Sequence, residues 1–97
     1  MIECKKFKYH EKGNLVGFAD LYIEKWEAEI VGCAYFKKGN SRWISLPGKE
    51  YEKDGEKKYL PFLRFTRKQV WQAFMDQASH AIQEHLSSLQ PEENGNQ

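Results

Sequence analysis

The sequence predicts an α+β domain, a mainly antiparallel sheet of four to five strands with one long C-terminal helix. Short segments of alternating apolar and polar residues fill the first two thirds of the chain. Gly-Asn and Asp-Gly turn signals separate them. From Val70 onward apolar residues recur at helical spacing, with no Gly or Pro before Pro91. At 97 residues the chain has the length of one domain.

The first three strands follow from this alternation. Residues 2–10 alternate imperfectly, which indicates an edge position or a bulge. In residues 15–25 one face carries Gly17, Ala19, Leu21 and Ile23. Residues 26–36 repeat the pattern, with Trp26, Ile30, Gly32 and Ala34 opposite Glu27, Cys33 and Tyr35. Small residues on these faces predict that a bulky element, the helix, packs over them.

Two turns and two further strands complete the predicted sheet. Turns are expected at 12–14 and 37–40. A short strand over 42–46 should end at Pro47, which cannot donate to a ladder. A charged, hairpin-like excursion follows with its turn at Asp54-Gly55, and residues 59–65 are the last strand.

The helix is the most clearly predicted element. Thr66 and Gln69 have the spacing of a capping box. Its apolar residues form two stripes, and either one stripe is left for a partner subunit or both merge into one wide core face. The stripes are Val70, Phe74, Ala78 and Ala81, and Trp71, Met75, Ile82 and Leu86. Residues 1–89 are thus expected to form one domain, and the polar segment 90–97 a disordered tail.

Charge is unevenly divided along the chain. Residues 36–72 hold ten of the fifteen Lys and Arg but only four acids, whereas residues 73–97 hold four acids and no Lys or Arg. The net charge of +1 hides this division. A basic segment of this kind indicates a polyanionic partner, because Lys and Arg contacts to phosphates supply most non-specific nucleic-acid affinity.

The candidate nucleic-acid-binding residues lie in this basic segment. Trp43 is expected to be partly exposed, where it could stack on a base. Arg67 and Lys68 stand at the helix start, where a phosphate can also be received. The opposing interpretation is that Glu50, Glu52, Asp54 and Glu56 neutralise much of the loop. The full candidate set is Lys37, Lys38, Arg42, Trp43, Lys49, Lys53, Lys57, Lys58, Arg67 and Lys68.

Other chemistry is not indicated. Cys4 and Cys33 lack metal-like spacing and are expected to be structural thiols. His80 and His85 are five apart, a poor spacing for a shared metal ligand set, and no catalytic motif is present. Asp20 should be a carboxylate satisfied by a neighbour, and Trp26 and Trp71 should lie in the core. We therefore expect no metal, no cofactor, no small-molecule substrate and no enzymatic activity, and a cytoplasmic protein without a signal peptide or membrane span.

The order of these signals from Leu15 to Leu86 resembles the SpoVG family of small bacterial regulators, which are named after a stage V sporulation protein. The run Trp43-Ile44-Ser45-Leu46-Pro47-Gly48-Lys49 is similar to the family segment F-V-x-M-P-S-K. Asp54-Gly55 and the proline-containing strand Tyr59–Phe62 follow at the family's spacing. Lys49 matches the family's basic residue, whereas Glu50 stands where a second basic residue is common.

The resemblance implies a homodimer that binds nucleic acid and influences gene expression. Together with the basic segment it predicts a regulator that contacts phosphates of DNA or RNA through a basic hairpin. The alternative is a protein-interaction module of phage or mobile-element origin, whose basic face meets an acidic partner. Such a module would have neither nucleic-acid nor enzymatic activity.

Overall fold

The computed structural model describes the backbone of residues 1–95 and the side chains of residues 1–88. Four strands form an antiparallel sheet in the order β1-β2-β3-β4, and two more form a separate antiparallel ribbon, so the predicted α+β class is confirmed. The elements are β1 (Ile2–Lys12), β2 (Leu15–Ile23), β3 (Ala28–Lys38), β4 (Ser41–Ser45), β5 (Gly48–Lys53), β6 (Glu56–Pro61) and α1 (Lys68–Gly95).

Tight turns join the strands where the sequence places them. Gly13 (φ 60°) and Gly39 (φ 61°) take left-handed backbone conformations in the β1–β2 and β3–β4 turns. Asp54 (φ 56°) and Gly55 (φ 79°) are the two residues between β5 and β6. Positive φ at both positions defines a type I′ turn, whose twist matches that of the flanking strands.

Strand β1 lies at the edge of the sheet and contains the predicted bulge. Cys4 pairs with Leu21 and Lys6 with Asp20, so Lys5 is the extra residue. Ile2 and Cys4 face the core before the bulge. Because Lys5 is an extra residue, the next side chain to face the core is that of Phe7 rather than that of Lys6. A Cβ on Gly17 would lie 2.7 Å from the Phe7 ring, so glycine is needed beneath this aromatic side chain.

A second bulge in β3 changes the predicted faces. Ala19 pairs with Cys33 and Leu21 with Ile30, so two β3 residues, Val31 and Gly32, oppose one β2 residue. The sequence predicts strict alternation, with Ile30 on the face opposite Cys33 and Tyr35. That prediction is wrong, because the extra residue at the bulge returns Ile30 to the inner face of the sheet, where it packs against the core.

Trp26 is not in the core, contrary to the prediction, and is 54% exposed. Residues 24–27 form a tight turn in which the Trp26 amide donates to Ile23 O at 3.1 Å and the Glu27 amide to Glu24 O at 3.2 Å. Glu27 (φ 51°) is left-handed in this turn. Because β3 begins only at Ala28, Trp26 never joins the strand's alternation.

Helix α1 covers one face of the sheet, and the small residues of β2 lie on that face as predicted. The prediction is wrong for β3, because Ala34 pairs with Phe18 on the opposite face and Cys33 and Tyr35 lie under the helix instead. Ala19 of β2 and Ala78 of α1 are fully buried and allow a close approach. Both helical stripes merge into one core face, because Phe74, Ala81 and Ile82 are all buried while Val70 is 43% exposed. The buried cluster comprises Ala19, Leu21, Ile23, Cys33, Tyr35, Ile44, Leu46, Phe74, Ala78 and Ile82.

Both ends of α1 differ from the sequence prediction. Arg67 O accepts the Trp71 amide at 3.0 Å and the Arg67 side chain donates to Gln69 Oε1 at 3.3 Å, so Arg67 rather than Thr66 precedes the helix and engages Gln69. The helix runs to Gly95, past the predicted limit before Pro91. Residues 96 and 97 lie outside the described residues, and disorder of the segment 90–97 stays a prediction. Over residues 1–95, no helix has both the length and the apolar character that crossing a membrane requires.

Candidate nucleic-acid interface

The ribbon formed by β5 and β6 sorts its charges onto two faces. Cross-strand pairs share a face, and successive residues of a strand alternate. Lys49 pairs with Leu60, Tyr51 with Lys58, and Lys53 with Glu56. These three pairs form the basic face of the ribbon, which carries Lys49, Lys53 and Lys58 around Tyr51. The opposite face carries Glu50 paired with Tyr59 and Glu52 paired with Lys57.

This sorting bears on the interpretation that acidic residues neutralise the loop. Glu50 and Glu52 lie on the face away from Lys49 and Lys53, whereas Glu56 stands among the lysines of the basic face and Asp54 follows Lys53 in the turn. Lys58 Nζ lies 3.5 Å from Glu56 Oε1, and both side chains are exposed. An exposed ion pair of this kind contributes at most about 1 kcal/mol and can exchange for a phosphate contact.

The ribbon is held at its base and exposed along its length. The Tyr59 hydroxyl donates to Leu46 O, and the Phe62 amide donates to Pro47 O at 3.0 Å. A Cβ on Gly48 would lie 2.5 Å from Leu60 O and from the Tyr59 ring, so the base is tightly packed. Residues 49–60 are all exposed. Tyr59, which makes the contact to Leu46 in the body, lies on the ribbon face opposite Lys49, Lys53 and Lys58.

The remaining basic candidates lie elsewhere. Lys37 and Arg42 pair across β3 and β4 on the same side of the sheet as α1, beside Tyr35 and Gln83. Burial raises the pKa of the Tyr35 hydroxyl, and the neighbouring Arg42 guanidinium partly offsets this rise. Lys38 pairs with Ser41 on the opposite side of the sheet. Arg67 and Lys68 are exposed at the start of α1.

The structure therefore brings together three of the ten predicted residues, Lys49, Lys53 and Lys58, on one face. Lys57 lies on the other face of the ribbon. Trp43 is half-buried, which agrees with its predicted partial exposure. Its ring stacks on Phe36 with a centroid distance of 5.5 Å and an interplanar angle of 4°.

Sequence reasoning missed a second basic group, on the sheet face opposite α1. Lys8 pairs with Phe18 and Lys12 pairs with Leu15, and both lysines are exposed. The His10 and Phe18 rings lie 5.9 Å apart between them. The signal was available, because Lys6, Lys8, His10 and Lys12 alternate along β1 and must largely share one side of the strand.

Both thiols are shielded rather than reactive. Burial raises the pKa of Cys33 to about 12, and the nearby Asp20 charge adds to the rise. Burial also raises the pKa of Cys4 to about 11, against a hydrogen bond from its thiol to Lys6 O. A thiol is nucleophilic only as the thiolate, so neither group is suited to redox or covalent chemistry at neutral pH.

An apolar cavity lies near the base of the ribbon. It has a volume of about 250 Å³ and is bordered by β4 and Trp71, and Arg64 is at its rim. In the described part of the chain, no three His, Cys, Asp or Glu side chains are grouped closely enough to hold a metal ion. Neither feature brings together a nucleophile, an acid and a base.

No protein-family model, curated protein or solved structure matches this chain.

Proposed function

We propose that the protein is a regulator that binds nucleic acid through the basic face of its ribbon. The carrying observation is the strand register, which places Lys49, Lys53 and Lys58 around Tyr51 and sends Glu50 and Glu52 to the other side. The ammonium groups can contact successive phosphates of a DNA or RNA backbone, and such contacts position the polymer without reading its sequence.

The exposure of these side chains supports this role. A lysine that reaches a phosphate releases condensed counterions, and this release drives binding at low salt. Lys49, Lys53 and Lys58 are all exposed, so a long polymer can reach them from solvent. Tyr51, which is 40% exposed, stands among the lysines and offers a ring to an unstacked base.

A homodimer is part of this proposal. Met1, Trp26 and Val70 border one shallow apolar groove and are 77%, 54% and 43% exposed. Burying such side chains between two copies would remove apolar surface from water. Sedimentation equilibrium tests this part, and a monomer at all concentrations up to about 100 µM would contradict it.

The binding proposal is tested by fluorescence anisotropy with labelled DNA and RNA oligonucleotides, single-stranded and duplex, between about 50 and 200 mM salt. The wild type is expected to bind, with an affinity that falls steeply with salt. The double variant K49E/K53E is expected to lose at least about tenfold in affinity. The slope of its log affinity against log salt concentration should be shallower by the amount that about two lost phosphate contacts produce.

Lys5 provides the control, because it is an exposed lysine in the β1 bulge, remote in the chain from the ribbon, and its ammonium group pairs with Glu3 at 2.8 Å. K5E should lower affinity by no more than about twofold, as expected from net charge alone. The proposal is overturned if the wild type binds none of the oligonucleotides at 50 mM salt, or if K5E weakens binding as much as K49E/K53E does.

A further inference from the structure

The sheet face opposite α1 carries two cross-strand rows that both begin with a lysine. The first row runs Lys8–Phe18–Ala34–Ser45 across β1 to β4. The second runs Lys12–Leu15–Phe36–Trp43. We call these two rows the open face. It combines aromatic rings in the middle strands with ammonium groups along one edge.

The rings of the open face are accessible. Phe18 is 37% exposed in the central part of the sheet, where an apolar side chain is normally covered. Phe36 and Trp43 are half-buried and stack with nearly parallel ring planes, so they form one aromatic cluster on this face. A shallow depression separates them from the base of the ribbon at Pro47 and Tyr59.

Charge decides which kind of partner suits this surface. Lys8 and Lys12 border the rings on β1, and Lys38 extends the same side of β3 beyond Phe36. Asp20 also lies on this side, where it pairs with Lys6 and accepts a hydrogen bond from the Gly32 amide at 3.0 Å. Glu3 and Glu29 lie toward the other end of the sheet, where they flank Tyr22, and Glu3 pairs with Lys5 at 2.8 Å. A second copy would bring like charges together, whereas a polyanion with flat apolar groups complements the face.

We propose that the open face stacks the bases of single-stranded DNA or RNA on Phe18 and on the Phe36–Trp43 pair, while Lys8 and Lys12 contact the phosphates. This inference rests on the proposed function and names its ligand more closely. Unstacked bases of a single strand can lie on aromatic rings, whereas the bases of a duplex are already stacked on each other.

The experiment compares Phe18→Ala with Tyr9→Ala, since both remove an exposed aromatic ring and Tyr9 lies on the α1 side of the sheet, where it pairs with Gly17. Each variant is titrated with 15-mers of oligo(dT) and oligo(U), and with an abasic 15-mer that keeps the phosphates. F18A is expected to lose about tenfold in affinity for whichever base-containing strand binds more tightly. Y9A should bind as the wild type does.

The abasic strand isolates stacking from charge. The wild type should bind it more weakly than oligo(dT), and F18A should bind it within about twofold of the wild type, because no base remains to stack. Equal losses for F18A on both strands would overturn the proposal, and so would unchanged binding of oligo(dT) by F18A.

Thermal melting checks that each variant is folded. If F18A does not fold, K8E/K12E serves as the second variant, because it changes only exposed side chains. K8E/K12E should weaken binding of both the base-containing and the abasic strand, and unchanged binding would overturn the proposal.

The ribbon variant K49E/K53E is measured alongside. If it loses affinity while F18A and K8E/K12E do not, the ribbon binds nucleic acid and the open face does not. If none of these variants loses affinity, both proposals fail.

Discussion

The Asp20 carboxylate accepts a hydrogen bond from the backbone amide of Gly32 at 3.0 Å. The β3 bulge withdraws this amide from the ladder, and Gly32 (φ 82°) takes a left-handed conformation there. A half-buried amide without a partner costs free energy, so the side chain of one strand compensates for the irregularity of the next. Asp20 is thus a structural carboxylate, as the sequence predicts.

Replacing Asp20 by Ala should destabilise the fold by about 1–3 kcal/mol, because the Gly32 amide loses its acceptor. Urea unfolding followed by circular dichroism measures this change. Asp20→Asn is the control, since its amide oxygen can still accept the bond and should restore most of the stability. Equal stability of D20A and the wild type would show that water replaces the carboxylate without cost.

Lys57 and Lys58 are neighbours in sequence but lie on opposite faces of the ribbon. Reversing one charge at a time therefore separates the effect of the ribbon face on binding from the effect of net charge. Lys58→Glu should weaken nucleic-acid binding several-fold more than Lys57→Glu, although both variants change the net charge by the same amount. Anisotropy titrations at one salt concentration compare them. Indistinguishable affinities would mean that the basic face is not the contact surface.

Trp71 and Trp26 allow the same substitution to be compared at a half-buried and at an exposed position. Trp71 is half-buried and packs beside Phe65 and Phe74, with ring centroids 5.7 and 6.1 Å away. Trp71→Ala should cost about 2–4 kcal/mol, somewhat less than for a fully buried Trp. Trp26→Ala should change stability by about 0.5 kcal/mol or less. Thermal or urea unfolding gives both values, and a larger loss for W26A would place the β2–β3 turn in the core instead.

The raised thiol pKa values predict how stability changes at alkaline pH. The unfolded chain ionises its thiols near their ordinary pKa of 9.0, whereas burial raises the pKa of the folded Cys4 to about 11 and that of Cys33 to about 12. The unfolded state then binds fewer protons, so stability falls as pH rises above about 9 and is unaffected by these groups below it.

Thiolate absorbance near 240 nm tests this expectation when the absorbance of the C4A/C33A variant is subtracted, because the five tyrosines also absorb there once ionised. The difference should stay flat in the folded protein up to about pH 10 and rise near pH 9 in concentrated urea. Ellman's reagent at pH 8 should correspondingly label Cys33 only after unfolding, because its side chain is fully buried. Rapid labelling of the native protein would show that the sheet opens locally around Cys33.

Much of the fold is predictable from local patterns. The alternation of Gly17, Ala19, Leu21 and Ile23 correctly identifies the inner face of β2, and all four are buried. The Asp54-Gly55 signal correctly places the ribbon turn. The errors arise where one residue changes the register. The β3 bulge reverses the faces around Ile30, and the turn over 24–27 takes Trp26 out of the strand.

The candidate site depends on register more than on composition. Counting charges between Lys49 and Lys58 gives a nearly neutral segment, and only the pairing of Tyr51 with Lys58 shows that acids and bases separate. Lys8 and Lys12 were missed because they lie far in sequence from the basic segment. Antiparallel pairing of β1 to β4 places them beside Phe18, Phe36 and Trp43, and such long-range neighbours cannot be read from a local window.

The exposure of residues 49–60 has an evolutionary consequence. Substitutions on a surface that touches no core residue usually change stability by less than about 0.5 kcal/mol. The charges of the ribbon can therefore diverge between lineages while the sheet and helix keep the same interior. Partner choice and folding are then under nearly independent selection, and a new preference can arise without a compensating change elsewhere in the chain.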